Sequence, residues 1–326
     1  MKESLAILQF VFSNIIMPIQ LIVGITANGI VMLIWHFGTK SRQLPFSVYF
    51  STLALVDFVL LAFPGTLRIQ FIFTDDVLSR VPNVCRFLSY VDYAMIQNSN
   101  WISAILTLER ALTILCPIRF QTRWIKRRSK RVLIVLIAFT TLNNIPHLIF
   151  AKFDDTMVCH WDEQYFNALF MYELIMDTIL CVTIPIVLSV ACNFFSLVAL
   201  STSRNHQIRN NSRTGVVITF KRLTFWTGVT LLISNFLWTV VISINLGMFT
   251  LQEDDYVNLF AIASVILYLN SSINPLFSCY LCNAVRTDFK DTFRRLLSVI
   301  HRRSRTVGRV NDQDATGKET AISTII

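Results

Sequence analysis

Seven long and almost uncharged stretches follow one another along the chain, and they constrain the fold more than any other feature. Each has about the 20 apolar residues that a helix needs to cross a bilayer. They are numbered here as segments 1 to 7 and comprise roughly residues 8–36, 46–72, 83–115, 131–151, 167–202, 218–249 and 256–281. The composition agrees, because 54% of the 326 residues are hydrophobic and only 15% are charged. The predicted fold class is an all-α membrane protein with seven transmembrane helices.

The apolar pattern also predicts four regions along the chain. A short extracellular N-terminus at residues 1–7 precedes the transmembrane domain at 8–281. Residues 283–297 form an amphipathic eighth helix, and 298–326 form a basic, flexible cytoplasmic tail. In the eighth helix, apolar residues on one face (Val285, Phe289, Phe293 and Leu296) and basic residues beside it suit the inner membrane surface and its anionic lipid. A solvated tail helix is the alternative.

Basic residues set the orientation in the membrane. The loops after segments 1, 3 and 5, together with the tail, carry 23 of the 29 Lys and Arg residues, whereas the opposite loops are acidic. Because cytoplasmic loops of membrane proteins carry the excess of Lys and Arg, the N-terminus is predicted outside and the tail inside. The division of the basic residues among membrane-side loops also argues against nucleic acid as a partner.

Two cysteines are predicted to face an oxidising compartment. Cys85 begins segment 3, and Cys159 lies in the next outer loop. A disulfide between them is therefore expected, because such compartments favour the bridged form. Two free thiols are the alternative.

An ionisable side chain inside a membrane segment marks a functional site by default. Asp57 lies in the middle of segment 2, and no segment offers a Lys or Arg at a similar depth. Its predicted neighbours are polar residues of segments 3 and 7, namely Ser99, Asn270, Ser271 and Asn274. The polar groups of the stretch NSSINP are therefore expected to face Asp57 in a small hydrated pocket.

Six short motifs occur in a fixed order, about one in each segment. They are ANGIV around Asn28, LALVD ending at Asp57, LERALTILCPIRF from Leu108, Pro185, FLW ending at Trp238, and NSSINP ending at Pro275. This order over residues 20–297 resembles that of the rhodopsin-like (class A) G-protein-coupled receptors. The resemblance implies a plasma-membrane receptor that signals through heterotrimeric G proteins. It also implies an allosteric sodium ion at Asp57, with water alone as the alternative.

The resemblance assigns an activation route on the cytoplasmic side. Glu109 and Arg110 match the pair that holds the resting state of the family, and Pro275 belongs to the motif of segment 7. Two tyrosines of the family are replaced here by Asn193 and Ser278. These departures leave an atypical receptor with weak G-protein coupling as an alternative.

Acidic residues near the outer mouth indicate a cationic ligand. By the resemblance, Asp92 matches a ligand-contacting position, and Tyr268 matches its hydrogen-bond partner. The predicted ligand-binding residues are Asp92, Tyr268, Asp177, Glu173 and Trp238. The paired aromatic residues of amine receptors are absent above Trp238, which favours a basic peptide. A biogenic amine or another small molecule is the alternative.

Other classes of function fit the sequence poorly. A seven-span transporter would show internal repeats with broken helices at matching positions, and none is visible. No triad of catalytic residues, metal-ligand spacing or nucleotide loop indicates an enzyme. The last four residues, Ser323 to Ile326, resemble ligands of PDZ scaffold domains, which add such tails as a strand.

Overall fold

A computed structural model describes residues 2–43, 46–67, 82–115, 122–153, 159–161, 165, 171–206, 253–281 and 285–294. Within these ranges the chain is mostly helical, and its helices pack against one another as a bundle. Four of the described stretches are long and apolar enough to cross a membrane: Ser4–Phe37, Ser47–Gly65, Arg127–Phe150 and Leu174–Ser196. The prediction of a helical membrane protein is confirmed. Segment 6 and the tail at 298–326 lie outside the described residues.

The helices of the described segments have the following bounds. Segment 1 comprises Lys2–Val11, Phe12–Ile16 and Met17–Phe37; segment 2, Ser47–Leu60 and Leu61–Gly65; segment 3, Pro82–Leu115; segment 4, Thr122–Asn143 and Ile145–Phe150; segment 5, Glu173–Thr183 and Ile184–His206; segment 7, Glu253–Leu281. Residues 285–294 form a further helix within the predicted eighth helix.

Two helices begin earlier than the hydropathy indicates. The helix of segment 1 begins at Lys2, within the predicted N-terminal region, and that of segment 4 begins at Thr122. The added turns of segment 4 are rich in Arg and Lys, which favour helix but do not favour the bilayer interior. Hydropathy therefore locates the apolar part of a helix and misses its polar extension.

A short β-hairpin follows segment 4, which the all-α prediction did not include. Strand β1 spans Ala151–Phe153 and pairs antiparallel with β2 at Cys159–Trp161, so that Phe153 lies opposite Cys159. The Arg86 Nε at the start of segment 3 donates to the Ala151 carbonyl at 3.0 Å. Strands of three residues are too short to give an alternating sequence signal.

Prolines coincide with three wide helical turns. The π-helical stretch Phe12–Ile16 immediately precedes Met17–Pro18, Leu61–Gly65 contains Pro64, and Glu173–Thr183 ends two residues before Pro185. Proline lacks an N–H group and clashes with the carbonyl of the preceding turn. A wider turn relieves that clash, so the chain remains helical across each proline.

Two asparagines complete the hydrogen bonding that prolines disrupt. Pro185 cannot donate to the Cys181 carbonyl four residues earlier, and Asn100 of segment 3 donates to that oxygen at 3.3 Å instead. Likewise, Asn28 of segment 1 donates to the Ser271 carbonyl at 3.0 Å, four residues before Pro275. Since an unsatisfied buried carbonyl is costly, these contacts fix segment 3 against segment 5 and segment 1 against segment 7.

Candidate functional site

A buried carboxylate and a tyrosine connect segments 3 and 7. The Tyr268 hydroxyl donates to Asp92 Oδ1 at 2.7 Å, and both side chains are at most 5% exposed. Tyr268 is held by a surrounding apolar cluster that includes Met17, Leu60 and Val265. A hydroxyl donor orients the carboxylate without neutralising its charge. This arrangement can accept a cation.

A second buried carboxylate lies on segment 5. Asp177 belongs to the stretch Glu173–Thr183, and its Oδ2 lies 3.4 Å from Nε2 of His147 on segment 4. Sequence reasoning selected Asp177 but missed His147. The signal was available, because an ionisable residue within an apolar segment is itself a site hypothesis.

Asp57 lies among polar groups of segments 3 and 7. Ser99 donates to Asp57 Oδ1 at 2.6 Å, Asn274 donates to Oδ2 at 3.3 Å, and the Ser271 side chain also hydrogen-bonds this carboxylate. Asn270 is buried as well, and its Oδ1 has no hydrogen-bond partner. The structure thus brings Ser99, Ser271 and Asn274 together at Asp57, whereas Asn270 is buried without a recorded contact to that carboxylate.

The donor set around Asp57 fits a hard cation. It includes the Asp57 carboxylate and the Ser99 and Ser271 hydroxyl oxygens, whereas Asn274 directs its amide nitrogen at the carboxylate. Within the described part of the chain, no group of three or more His, Cys, Asp or Glu side chains could hold a transition metal. The chemistry of this site is therefore that of oxygen ligands.

Near the Leu115 end of segment 3, Glu109 joins three segments. Its carboxylate accepts a hydrogen bond from Tyr49 of segment 2 at 2.9 Å and from Ser129 of segment 4 at 3.2 Å. The Arg110 guanidinium lies over the Phe50 ring, 5.1 Å from its centroid. Tyr49, Phe50 and Ser129 were not singled out in the sequence, because these contacts depend on how neighbouring helices are rotated.

The helix at 285–294 is fixed to the loop after segment 1. Asp288 accepts hydrogen bonds from the backbone N–H groups of Lys40 at 3.0 Å and Ser41 at 2.6 Å, and from the Ser41 hydroxyl at 2.7 Å. Burial disfavours the ionised form, but these bonds outweigh it and hold the pKa of Asp288 below its ordinary value. Gly38 permits the approach, because a Cβ there would meet the carboxylate and the Ile34 carbonyl.

The remaining predicted residues are described only in part. Cys85 is disulfide-bonded, and the Cys159 backbone lies in β2, which contacts segment 3. Pro275 is buried within its helix, and Asn193 is half-buried. Trp238 lies outside the described residues, as do the side chains of Cys159, Glu173 and Ser278.

Comparison with known proteins agrees with this arrangement. The sequence model of the family described as "7 transmembrane receptor (rhodopsin family)" matches residues 27–277. The thyrotropin-releasing hormone receptor of Gallus gallus is 23% identical over 311 residues, which cover 84% of this chain and 75% of that receptor. The Homo sapiens receptor of the same name is 23% identical over 309 residues, covering 84% and 74%. Mas-related G-protein coupled receptor member A7 of Mus musculus is 29% identical over 177 residues, covering 52% and 55%.

Proposed function

Because the chain belongs to the rhodopsin family of seven-transmembrane receptors, we propose that it is a plasma-membrane receptor for an extracellular cationic peptide. Ligand binding is coupled to heterotrimeric G proteins, as the family implies. The proposed topology has seven membrane spans, an outer N-terminus and the helix around 285–294 on the inner membrane surface. The family is one of receptors, which act by binding rather than by catalysis.

The pair Asp92 and Tyr268 is the observation that carries this proposal. A carboxylate removed from water is costly unless it is paired and hydrogen-bonded. The Tyr268 hydroxyl orients Asp92 but supplies no charge. A ligand cation adds an ion pair in a site shielded from bulk water, where charges interact more strongly than in solution.

The second buried carboxylate favours a peptide over a small amine. Asp177 lies on segment 5, whereas Asp92 lies on segment 3, so a ligand that uses both must present more than one cation. A basic peptide does so through its amino terminus and its Lys or Arg side chains. The relatives named as hormone receptors support an extracellular messenger of this kind.

Asp92 with Tyr268 alone would suit a biogenic amine, and this observation keeps a small-molecule ligand as the second candidate. The absence of paired aromatics above Trp238 in the sequence weighs against it, because aromatic rings form the usual cage for an amine.

Three further partners complete the proposal. Sodium is the proposed ion at Asp57, since a carboxylate and two serine hydroxyls there offer oxygen ligands. Anionic lipid is the proposed partner of the helix at 285–294, where the Phe289 and Phe293 rings are exposed and stacked, with centroids 6.2 Å apart, beside basic residues. A PDZ domain is the proposed partner of the C-terminal residues, which lie outside the described structure.

A library screen on cells that express the receptor tests the function. Basic peptides and biogenic amines are applied to the wild type and to Asp177→Asn, with a G-protein-dependent readout. Asp291→Asn is the matched control, because Asp291 lies on the cytoplasmic helix at 285–294. A peptide agonist that loses potency with Asp177→Asn supports the first candidate, and an amine agonist of unchanged potency supports the second. Agonists that are all anionic or neutral would contradict both.

A further inference from the structure

We infer, on the basis of the proposed function, that His147 is a specificity-determining residue of the cationic site. In the ligand-free receptor it associates with Asp177, so a second ligand cation reaches that carboxylate only by replacing the imidazole. Asp92 accepts a hydrogen bond from the Tyr268 hydroxyl, and a cation can bind that carboxylate without replacing this donor.

The contact between His147 and Asp177 is enclosed by protein. The two side chains are 2% and 4% exposed, and Nε2 lies 3.4 Å from Oδ2. This distance is longer than that of a charge-assisted hydrogen bond, and the two atoms do not form a hydrogen bond with each other. The imidazole therefore occupies the space beside a buried carboxylate oxygen, where a ligand cation would have to lie.

Aromatic side chains fix the orientation of the imidazole. The His147 ring stacks on Tyr93 of segment 3, with centroids 3.9 Å apart and planes inclined by 14°. Tyr172 of segment 5 meets the same ring edge-on at 5.8 Å. His147 is thus held by a stacked contact with segment 3 and an edge-on contact with segment 5, which keep Nε2 beside Asp177.

The helical geometry brings both groups to the same place. His147 follows the break at Asn144, where the helix of segment 4 is interrupted, and Asp177 lies in the π-helical stretch Glu173–Thr183. Such wide turns occur often at functional sites, because they redirect side chains. Tyr93, which contacts His147, directly follows Asp92 in the chain, so the two carboxylate sites adjoin one another across one residue of segment 3.

Competition for Asp177 then discriminates between ligands by their number of cations. A monocation binds at Asp92 and leaves the contact between His147 and Asp177 unchanged. A dication gains a second ion pair at Asp177 but loses part of that gain, because it must separate the existing contact. Specificity is a difference of affinities, and His147 lowers the affinity for dications while leaving that for monocations unchanged.

The test uses two kinds of simple probe. The monocation is 1-aminopentane, and the dications are the diamines from 1,4-diaminobutane to 1,8-diaminooctane. Their affinities for purified receptor follow from the rise in melting temperature, because a ligand that binds the folded state stabilises it. A thiol-reactive dye reports unfolding, since Cys181 and Cys192 are free and buried. We expect His147→Gln to raise the affinity for the best diamine by about tenfold or more, the lower end of the coupling of close charge pairs.

The control variants separate the inference from a general effect on folding. His147→Gln should leave the affinity for 1-aminopentane unchanged. His36→Gln should change the affinity for neither probe, because His36 is an exposed residue in the last turn of the helix Met17–Phe37. His147→Phe preserves an aromatic ring against Tyr93 and should reproduce the gain if the Gln variant does not fold. In a double variant that carries both His147→Gln and Asp177→Asn, the gain in diamine affinity should be lost.

The possible failures are distinguishable. Diamine and monoamine affinities that change in parallel in both His147 variants, or not at all, would overturn the role of His147 while the proposed site stands. Amine affinities that are the same in wild type and Asp92→Asn, or no amine binding in any variant, would contradict the proposed cationic site itself.

Discussion

Replacing Asp288 by Asn should weaken the docking of the helix at 285–294 on the loop after segment 1. Its Oδ2 accepts from the Ser41 N–H and hydroxyl at 2.6 and 2.7 Å, and from the Lys40 N–H at 3.0 Å. All three bonds end on the same oxygen, and asparagine can place its own oxygen there, but that oxygen carries no charge. Three bonds to a charged group then become neutral ones, and at roughly 0.5–1.5 kcal/mol lost in each, reduced for mutual dependence, docking weakens by about 1–3 kcal/mol.

Hydrogen exchange of the Lys40 and Ser41 amides measures this change directly, because local opening controls their exchange. At about 1.4 kcal/mol per decade, exchange should accelerate by roughly 5- to 150-fold. Asp291→Asn, three residues along the same helix, is the control and should have no effect. Unchanged protection of both amides in Asp288→Asn would refute the reasoning.

The pH dependence of this contact has a definite sign. Because the pKa of Asp288 is lowered in the folded protein, its carboxylate contributes stability above the unfolded-state pKa, and this contribution is lost as the pH falls through the folded-state pKa. Protection of the two amides should therefore be constant from about pH 5 to pH 8 and should decrease only below about pH 4, the ordinary range of an aspartate.

Three further substitutions test other parts of the structure. Cys85→Ala removes a disulfide and should lower surface expression, measured by flow cytometry against Cys192→Ala, a free cysteine; equal expression of the two would count against the bridge. Asp57→Asn should abolish any effect of sodium on agonist affinity, because ion and agonist binding are reciprocally coupled; wild-type affinity that is equal in sodium and in a large organic cation would argue for water alone. Asn100→Leu should destabilise the receptor by about 1–3 kcal/mol, because it leaves the Cys181 carbonyl without its donor; an unchanged melting temperature would contradict that role.

The contacts that sequence reasoning anticipated are those between residues in the motifs. The polar residues of NSSINP were expected to face Asp57, and the structure places Asn274 and Ser99 within hydrogen-bond distance of it. The contact between Asp92 and Tyr268 was also expected, on the strength of the resemblance. In both cases an isolated polar group in an apolar helix narrows the choice of partner, because few other polar groups lie at the same depth.

The contacts that were missed depend on geometry that periodicity does not encode. The π-helical stretch of segment 5 adds residues per turn, so the face that Asp177 occupies cannot be read from a period of 3.6. Its partner His147 follows a helix break whose angle the sequence leaves open. The contact of Asp288 joins residues 247 positions apart in a loop and a surface helix, where no hydrophobic pattern constrains the pairing.

The affinity of the receptor for its agonist in Asp92→Asn tests the cationic site most directly. With the agonist from the library screen, binding is measured on the wild type, Asp92→Asn, Tyr268→Phe and the control Asp291→Asn, at matched surface expression. The loss of one partner of a buried ion pair costs about 3–5 kcal/mol, so affinity should fall by roughly 100- to 1000-fold or more in Asp92→Asn. Tyr268→Phe removes only the hydroxyl that orients the carboxylate, and the loss should be smaller. An agonist that binds Asp92→Asn with wild-type affinity would contradict the cationic site.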